Sequence, residues 1–283
     1  MATFFNQATL SYSGGTVNSN ITTGEILEVL AATKTAVYDR YAPGSDITYA
    51  VNIVNSGTIA FTGLTVTDDL GAYAFGTTTL QPLDYVDGSI RYFVDGVLQP
   101  APTVTAGPPL VISGINVPAS GTATILYAAR ANTFAPQDVE GTIVNTVTIS
   151  GGGITPLTAT ETVSAEAEPR LTITKSVSPT TVTENGQLTY TFVIQNTGNV
   201  LADATDAVVV TDTFDPILTG LTVTYNSTPW TSPASYTYNE ATGLFSTAAG
   251  SITVPAATYT QDPTTGAWVV DPGVAVLTVT GTI

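Results

Sequence analysis

Apolar and small polar residues alternate along almost the whole chain, as in SDITYAVNIVN, GLTVTDDL, SIRYFVDG, GTATILYAAR and GQLTYTFVIQN. A period of two puts successive side chains on opposite faces of an extended strand. Asn-Ser-Gly, Asn-Thr-Gly, Asp-Gly and Pro-containing turns break the alternation about every 8 to 12 residues, with no useful 3.6-residue periodicity between them. The pattern predicts an all-β fold of antiparallel sandwiches. A length of 283 residues is enough for about two such domains, each with its own core.

Comparing the halves reveals an internal repeat. ATKTAVYDRYAPGSDITYAVNIVNSG, from Ala32, matches ITKSVSPTTVTENGQLTYTFVIQNTG, from Ile173, through a Lys, a Tyr and an Asn-x-Gly turn. LTVTDDL then matches VVVTDTF, and INVPAS matches ITVPAA. Two tandem Ig-like sandwiches are expected, at 28–164 and 165–283, preceded by a strand at 1–13 and a flexible connector at 14–27.

Composition excludes much else. With no His and no Cys, the commonest general base and metal ligand, thiolate nucleophiles and disulfides are all missing. No cofactor or metal is expected, and a substrate-processing enzyme is the reading furthest from these residues. A formal charge of -16 repels phosphate backbones and anionic membranes, so neither nucleic acid nor membrane insertion is expected. The opening MATFFNQATLSYSGG has neither the basic nor the apolar region of a secretory signal, which leaves the route of export open.

The repeated motifs resemble the Thr-rich conserved-repeat domain of bacterial and archaeal surface proteins, a domain of unknown function numbered 11. That pattern runs from a Lys on the first strand through Gly-x-x-(Thr)-Tyr, Asn-x-Gly and Val-Thr-Asp to a closing strand that carries an Asn. The resemblance spans nearly the whole chain and implies a β-sandwich module of a surface fibre or stalk.

The closing strand is where the chain departs from this pattern. The first copy has it as GTIVNTVTIS, with Asn145, whereas the second ends at GVAVLTVTGTI, one strand short. Without gaps, FFNQATLSYSG from Phe4 matches IVNTVTISGGG from Ile143, which sets Asn6 on Asn145. The N-terminal segment therefore reads as the closing strand of a preceding repeat, with Phe4, Asn6, Ala8, Leu10 and Tyr12 on one face. Such a cut invites head-to-tail strand donation between subunits, which does not close by a two-fold. A frayed terminus, or a strand folded back onto its own second domain, are the alternatives.

The chain has two lysines, Lys34 and Lys175, at the same place in the two repeats. Alternation puts both on inward faces, where an unpaired Lys is costly. Asp68 shares a face with Leu64 and Val66, Asp212 with Val208 and Val210, and Asn145 with Ile143, Val147 and Ile149. This Lys, Asp and Asn trio resembles that of isopeptide-forming domains in Gram-positive pili and adhesins. Burial favours a neutral amine beside a protonated carboxyl, and the Asp then shuttles a proton to ammonia leaving the carboxamide. The expected bonds are Lys34 to Asn145 within a chain and Lys175 to Asn6 of the next, with Asp68 and Asp212 as shuttles. A buried Lys-Asp ion pair with an ordinary Asn partner fits the same residue types.

Asp69 and Asp215 are weaker shuttle candidates. Asp203, Asp206, Asp212 and Asp215, and likewise Asp84, Asp87 and Asp95, lack the ligand spacing of a calcium loop. Tyr225, Trp230, Tyr236 and Tyr238 fit either a glycan platform or cross-strand packing. Two functions follow: a homopolymeric filament subunit of the cell or spore surface, or an adhesin or glycan-binding stalk module.

Overall fold

The computed structural model describes residues 2–26 and 28–283. The first sandwich packs two sheets face to face. One runs in the order β13 (Val97–Gln99), β12 (Arg91–Val94), β16 (Thr122–Ala131), β7 (Asp46–Asn55) and β5 (Leu30–Ala36), with β11 (Leu83–Tyr85) also on β16. The other runs β14 (Thr103–Thr105), β15 (Leu110–Val117), β8 (Phe61–Asp68), β17 (Thr142–Ser150), β18 (Leu157–Ala165) and β6 (Arg40–Tyr41). A small hairpin, β9 (Tyr73–Phe75) with β10 (Thr78–Leu80), lies outside both.

Burial follows the alternation in the sequence. Tyr49, Val51, Ile53 and Ile125 from one sheet meet Leu64, Val66, Ile112, Val147 and Ile149 from the other, all at most 1% exposed. The Asn-x-Gly turns are built the same way in both domains. Asn55 accepts from Gly57 N at 2.9 Å and donates to Ile59 O at 2.8 Å. Asn196 accepts from Gly198 N at 2.8 Å and donates to Val200 O at 2.7 Å. Each buried carboxamide thus closes its own turn.

The second domain repeats the first sheet and only half of the second. Its β19 (Leu171–Ser178), β20 (Gln187–Asn196), β28 (Gly273–Thr282), β22 (Thr219–Tyr225) and β23 (Thr228–Trp230) reproduce the order β5-β7-β16-β12-β13. Opposite stand three strands, β21 (Thr211–Thr213), β25 (Leu244–Thr247) and β24 (Tyr236–Asn239), in the place of β8, β15 and β14. Among the described residues nothing pairs with the outer edge of β21. Two strands are missing there, the counterparts of β17 and β18, rather than the single closing strand expected. An added hairpin, β26 (Thr258–Gln261) with β27 (Trp268–Asp271), reaches the first domain, where Gln261 Nε2 donates to the Tyr73 hydroxyl at 2.9 Å and Trp268 N to Thr133 O at 2.8 Å.

Residues 2–26 form a two-stranded ribbon of their own. β1 (Ala2–Asn6) pairs with β4 (Thr22–Ile26), and β2 (Thr9–Tyr12) with β3 (Gly15–Asn18). The connector expected at 14–27 is therefore corrected: apart from Leu27, which lies outside the described residues, it is mostly the return strand of a hairpin. Its Gly, Ser and Asn content suggests a loop, but the ring of Phe4 lies over Gly24 on the facing strand, and that of Tyr12 over Gly14 in the turn, so the glycines seat aromatics. Phe4, Leu10, Tyr12 and Val17 are each at least 50% exposed. An isolated two-stranded ribbon is at best marginally stable in water.

Candidate cross-linking sites

In the first domain the Lys, Asp and Asn converge between the sheets. β5 supplies Lys34, while the facing sheet supplies Asp68 from the end of β8 and Asn145 from β17. Asn145 lies two residues from Val147, which pairs with Asp68 across the ladder, so the two polar groups are diagonal neighbours on the inner face. Lys34 has room because alanines flank it, at positions 32 and 36, where the other core strands carry larger residues.

Lys34 Nζ is 2.8 Å from Asp68 Oδ2, and neither side chain is exposed at all. The same oxygen accepts a hydrogen bond from the Tyr127 hydroxyl, and Oδ1 accepts one from Leu70 N at 2.7 Å. Nζ also sits 4.8 Å from the centre of the Tyr49 ring, which stacks on Tyr127 at 5.6 Å. Burial pulls the Lys34 amine below its ordinary range, against the opposing pull of Asp68. Burial pushes the Tyr49 and Tyr127 hydroxyls well up, so both stay protonated.

Asn145 is the exception in this cluster. It is fully buried and lies against the Tyr49 and Tyr127 hydroxyls, yet neither its carboxamide nitrogen nor its oxygen makes a hydrogen bond of good geometry, and the Tyr49 hydroxyl makes none either. A buried amide left unpaired costs about 1–3 kcal/mol. The other buried asparagines, Asn55 and Asn196, are fully bonded. Asn145 therefore makes no well-formed hydrogen bond that would account for its burial, unlike the other two.

The second domain holds the same pair in an open setting. Lys175 on β19 forms an ion pair with Asp212 on β21, with side chains 40% and 17% exposed. Asp212 Oδ2 accepts no aligned hydrogen bond. Nζ lies 4.5 Å from the Tyr190 ring centre, 5.6 Å from Phe192 and 5.5 Å from Phe214. Tyr190 faces Val279 on β28, just as Tyr49 faces Tyr127 on β16, so the hydroxyl that clamps Asp68 has no counterpart here. Nor does any Asn of the same chain: Asn6 is exposed on the hairpin, opposite Thr22.

The remaining candidates have other work. Asp69 accepts from Gly71 N at 2.9 Å and Thr146 N at 3.0 Å, pinning the end of β8 to β17. Asp203 and Asp206 cap the short helix 204–206 reciprocally. Asp84 accepts from Asn132, Asp87 from Gly88 N and Asp95 from Thr122 N, while Asp215 is an exposed loop residue before Pro216. The aromatics turn to packing. Tyr225 stacks on Trp230 at 4.8 Å, Tyr236 packs on Phe245 at 5.4 Å, and the Tyr238 hydroxyl donates to Leu218 O at 2.8 Å.

Two features escape a reading of motifs. Tyr127 belongs to no repeated motif, since the second copy has Val279 in its place. The return strand left little signal either, because beyond Gly14 the ungapped comparison keeps a single identity up to Thr22, that of Thr16 with Thr155.

No family model matches the chain, so the resemblance drawn from its motifs gains no support there, and no curated protein matches it. Among solved structures, the major pilin subunit BcpA of Bacillus cereus is similar over 96% of this chain and 73% of its own, at 13% identity and a TM-score of 0.37. The pilus backbone RrgB of Streptococcus pneumoniae is similar over 86% of this chain, which spans 55% of it, at 13% identity and a TM-score of 0.36. The collagen-binding domain of a Staphylococcus aureus adhesin is similar over 50% of this chain and 99% of its own, at 11% identity and a TM-score of 0.30.

Proposed function

We propose that the chain is a structural subunit of a filament on a cell or spore surface, joined head to tail by its N-terminal segment and sealed by self-formed Lys-Asn amide bonds. The observation that carries this reading is Asn145, buried without a well-formed hydrogen bond beside the dry Lys34-Asp68 pair. A merely structural ion pair gains nothing from an unbonded carboxamide, whereas a pair about to react needs one.

The step balances as an aminolysis of one amide by one amine. Asp68 takes a proton from the Lys34 ammonium, and the neutral Nζ attacks Cγ of Asn145. Asp68 passes its proton to the leaving Nδ2, the C–N bond breaks and ammonia departs; the carboxylate then takes the second proton that Nζ loses as the amide forms, and ends protonated. Tyr127 and Leu70 N hold the carboxyl in place for these transfers. The product links the two sheets and removes a buried charge whose desolvation costs several kcal/mol.

Between subunits the same roles fall to Lys175, Asp212 and the Asn6 of the next copy. The half-exposed ion pair on a sheet with a free edge fits a site that is completed only on assembly. Intact-mass measurement tests the internal bond: the chain is expected about 17 Da lighter than its sequence, and Lys34→Ala or Asn145→Ala restores the full mass.

A further inference from the structure

We propose that the groove of the second domain takes the whole hairpin of the next subunit, both strands of residues 2–26, and not a single donated strand. This rests on the head-to-tail reading above and names what fills the gap. The ribbon would extend β21 as β17 and β18 extend β8, with Ala8–Ser11, the matches of Val147–Ser150, against its edge.

The register of β1 on β4 coincides residue for residue with that of β17 on β18, whereas Thr9–Asn18 in β2–β3 is offset by one residue from Thr148–Thr158. Thr3–Glu25, Phe4–Gly24, Phe5–Thr23 and Asn6–Thr22 in the ribbon match Thr142–Ser164, Ile143–Val163, Val144–Thr162 and Asn145–Glu161 in the first domain. Side-chain volume is conserved by pairs: Ile143 faces Val163, and the larger Phe4 lies over Gly24, where a Cβ would come within 2.3 Å of the ring. β18 is also what covers β5 in the first domain. Leu30 is 9% exposed there, against 36% for its counterpart Leu171, and Ile173 is 51% exposed on the same strand. One strand on the edge of β21 would leave that side of β19 bare.

The fold also rules out the chain's own groove. The ribbon joins β5 at the pole of the first domain that holds Phe61, Ile154 and Leu157, while the second domain follows the far end of β18 at Ala165. Strands of nine or ten residues set those poles roughly 30 Å apart. Residues 27–29 reach at most about 11 Å, so the base of the ribbon can enter only another copy. Docked this way, successive subunits are joined by residues 27–29, a link no longer than residues 166–170 between the two domains of one chain. The filament is then an even string of sandwiches, without a slack joint at each subunit boundary.

In the first domain Ser164 pairs in parallel with Arg40 on β6. The matching pair across subunits is Glu25 of one copy and Thr181 of the other. The chain has no cysteine, so full-length Glu25→Cys and Thr181→Cys subunits, mixed before assembly under mild oxidation, report on this pair alone. Arg40→Cys with Ser164→Cys in one chain shows that the register accepts a disulfide. Hairpin docking predicts a reducible peptide joining positions 25 and 181 alongside the Lys175-Asn6 peptide. The Lys175-Asn6 peptide without the disulfide, the control pair having closed, would overturn two-strand docking and leave strand donation standing. Neither peptide would overturn both.

Discussion

The two domains carry the same lysine and the same aspartate in opposite states. Around Lys34 the facing sheet is complete and the pair is dry; around Lys175 the counterparts of β17 and β18 are absent among the described residues, and the lysine is 40% exposed. The difference lies in the closing hairpin and not in the charged pair. One domain owns its hairpin, β17–β18, and the other presents the edge on which such a hairpin would fit. In the proposed filament that hairpin comes from a second copy, which makes the open domain the informative one.

The largest expected effect separates the two sites outright. Asn6→Ala or Lys175→Ala abolishes covalent joining of subunits while the internal Lys34-Asn145 bond still forms. A denaturing gel after boiling then shows single subunits in both variants, each still about 17 Da light.

Stability separates them next. Lys34→Ala leaves Asp68 buried with its charge unpaired and prevents the cross-link, for a loss of about 3–5 kcal/mol or more in the first domain. Lys175→Ala in the unassembled subunit removes a partly exposed pair and costs about 0–1 kcal/mol. Denaturant unfolding monitored domain by domain measures both.

Exchanging the one aromatic that differs sharpens the comparison further. Tyr127→Phe removes a donor to Asp68, costs about 1–2 kcal/mol and slows the internal bond. Val279→Tyr offers the second site the hydroxyl it lacks and speeds the bond between subunits; time courses of ammonia release follow each.

The smallest effect is in pH. Because burial lowers the folded-state pKa of Lys34, the unfolded chain binds more protons between that lowered value and the ordinary 10.5. Stability of the uncross-linked Asn145→Ala variant therefore rises as pH increases through this window, and is lost as pH falls through the folded value. The cross-linked wild type, with no amine left to titrate, lacks this slope.

Much of this was legible in the sequence because alternation assigns faces. The inward placement of Lys34, Asp68 and Asn145 follows from counting by twos from Ala32, Leu64 and Ile143. The match of GVAVLTVTGTI with GTATILYAAR, and not with GTIVNTVTIS, already placed β28 in the sheet of β19 and β20. The return strand at 15–26 was hidden because its glycines read as a loop, whereas Gly24 seats the ring of Phe4 from the facing strand, a cross-strand property that composition cannot express. Tyr127 was hidden for a related reason: its partner in the repeat is a valine, so comparing the halves removes it from view. The aromatics at 225–238 illustrate the reverse, since interleaved Tyr and Trp suggest a platform until packing shows the rings spent on one another.

The most direct test of a covalent head-to-tail polymer is peptide mass mapping of the boiled, assembled protein made from a mixture of isotopically light and heavy chains. The account predicts a branched peptide joining Lys175 of one label to Asn6 of the other, and a second joining Lys34 to Asn145 within one label, each about 17 Da below the sum of its parts. Recovery of Lys175 and Asn6 only in separate, unmodified peptides would contradict it.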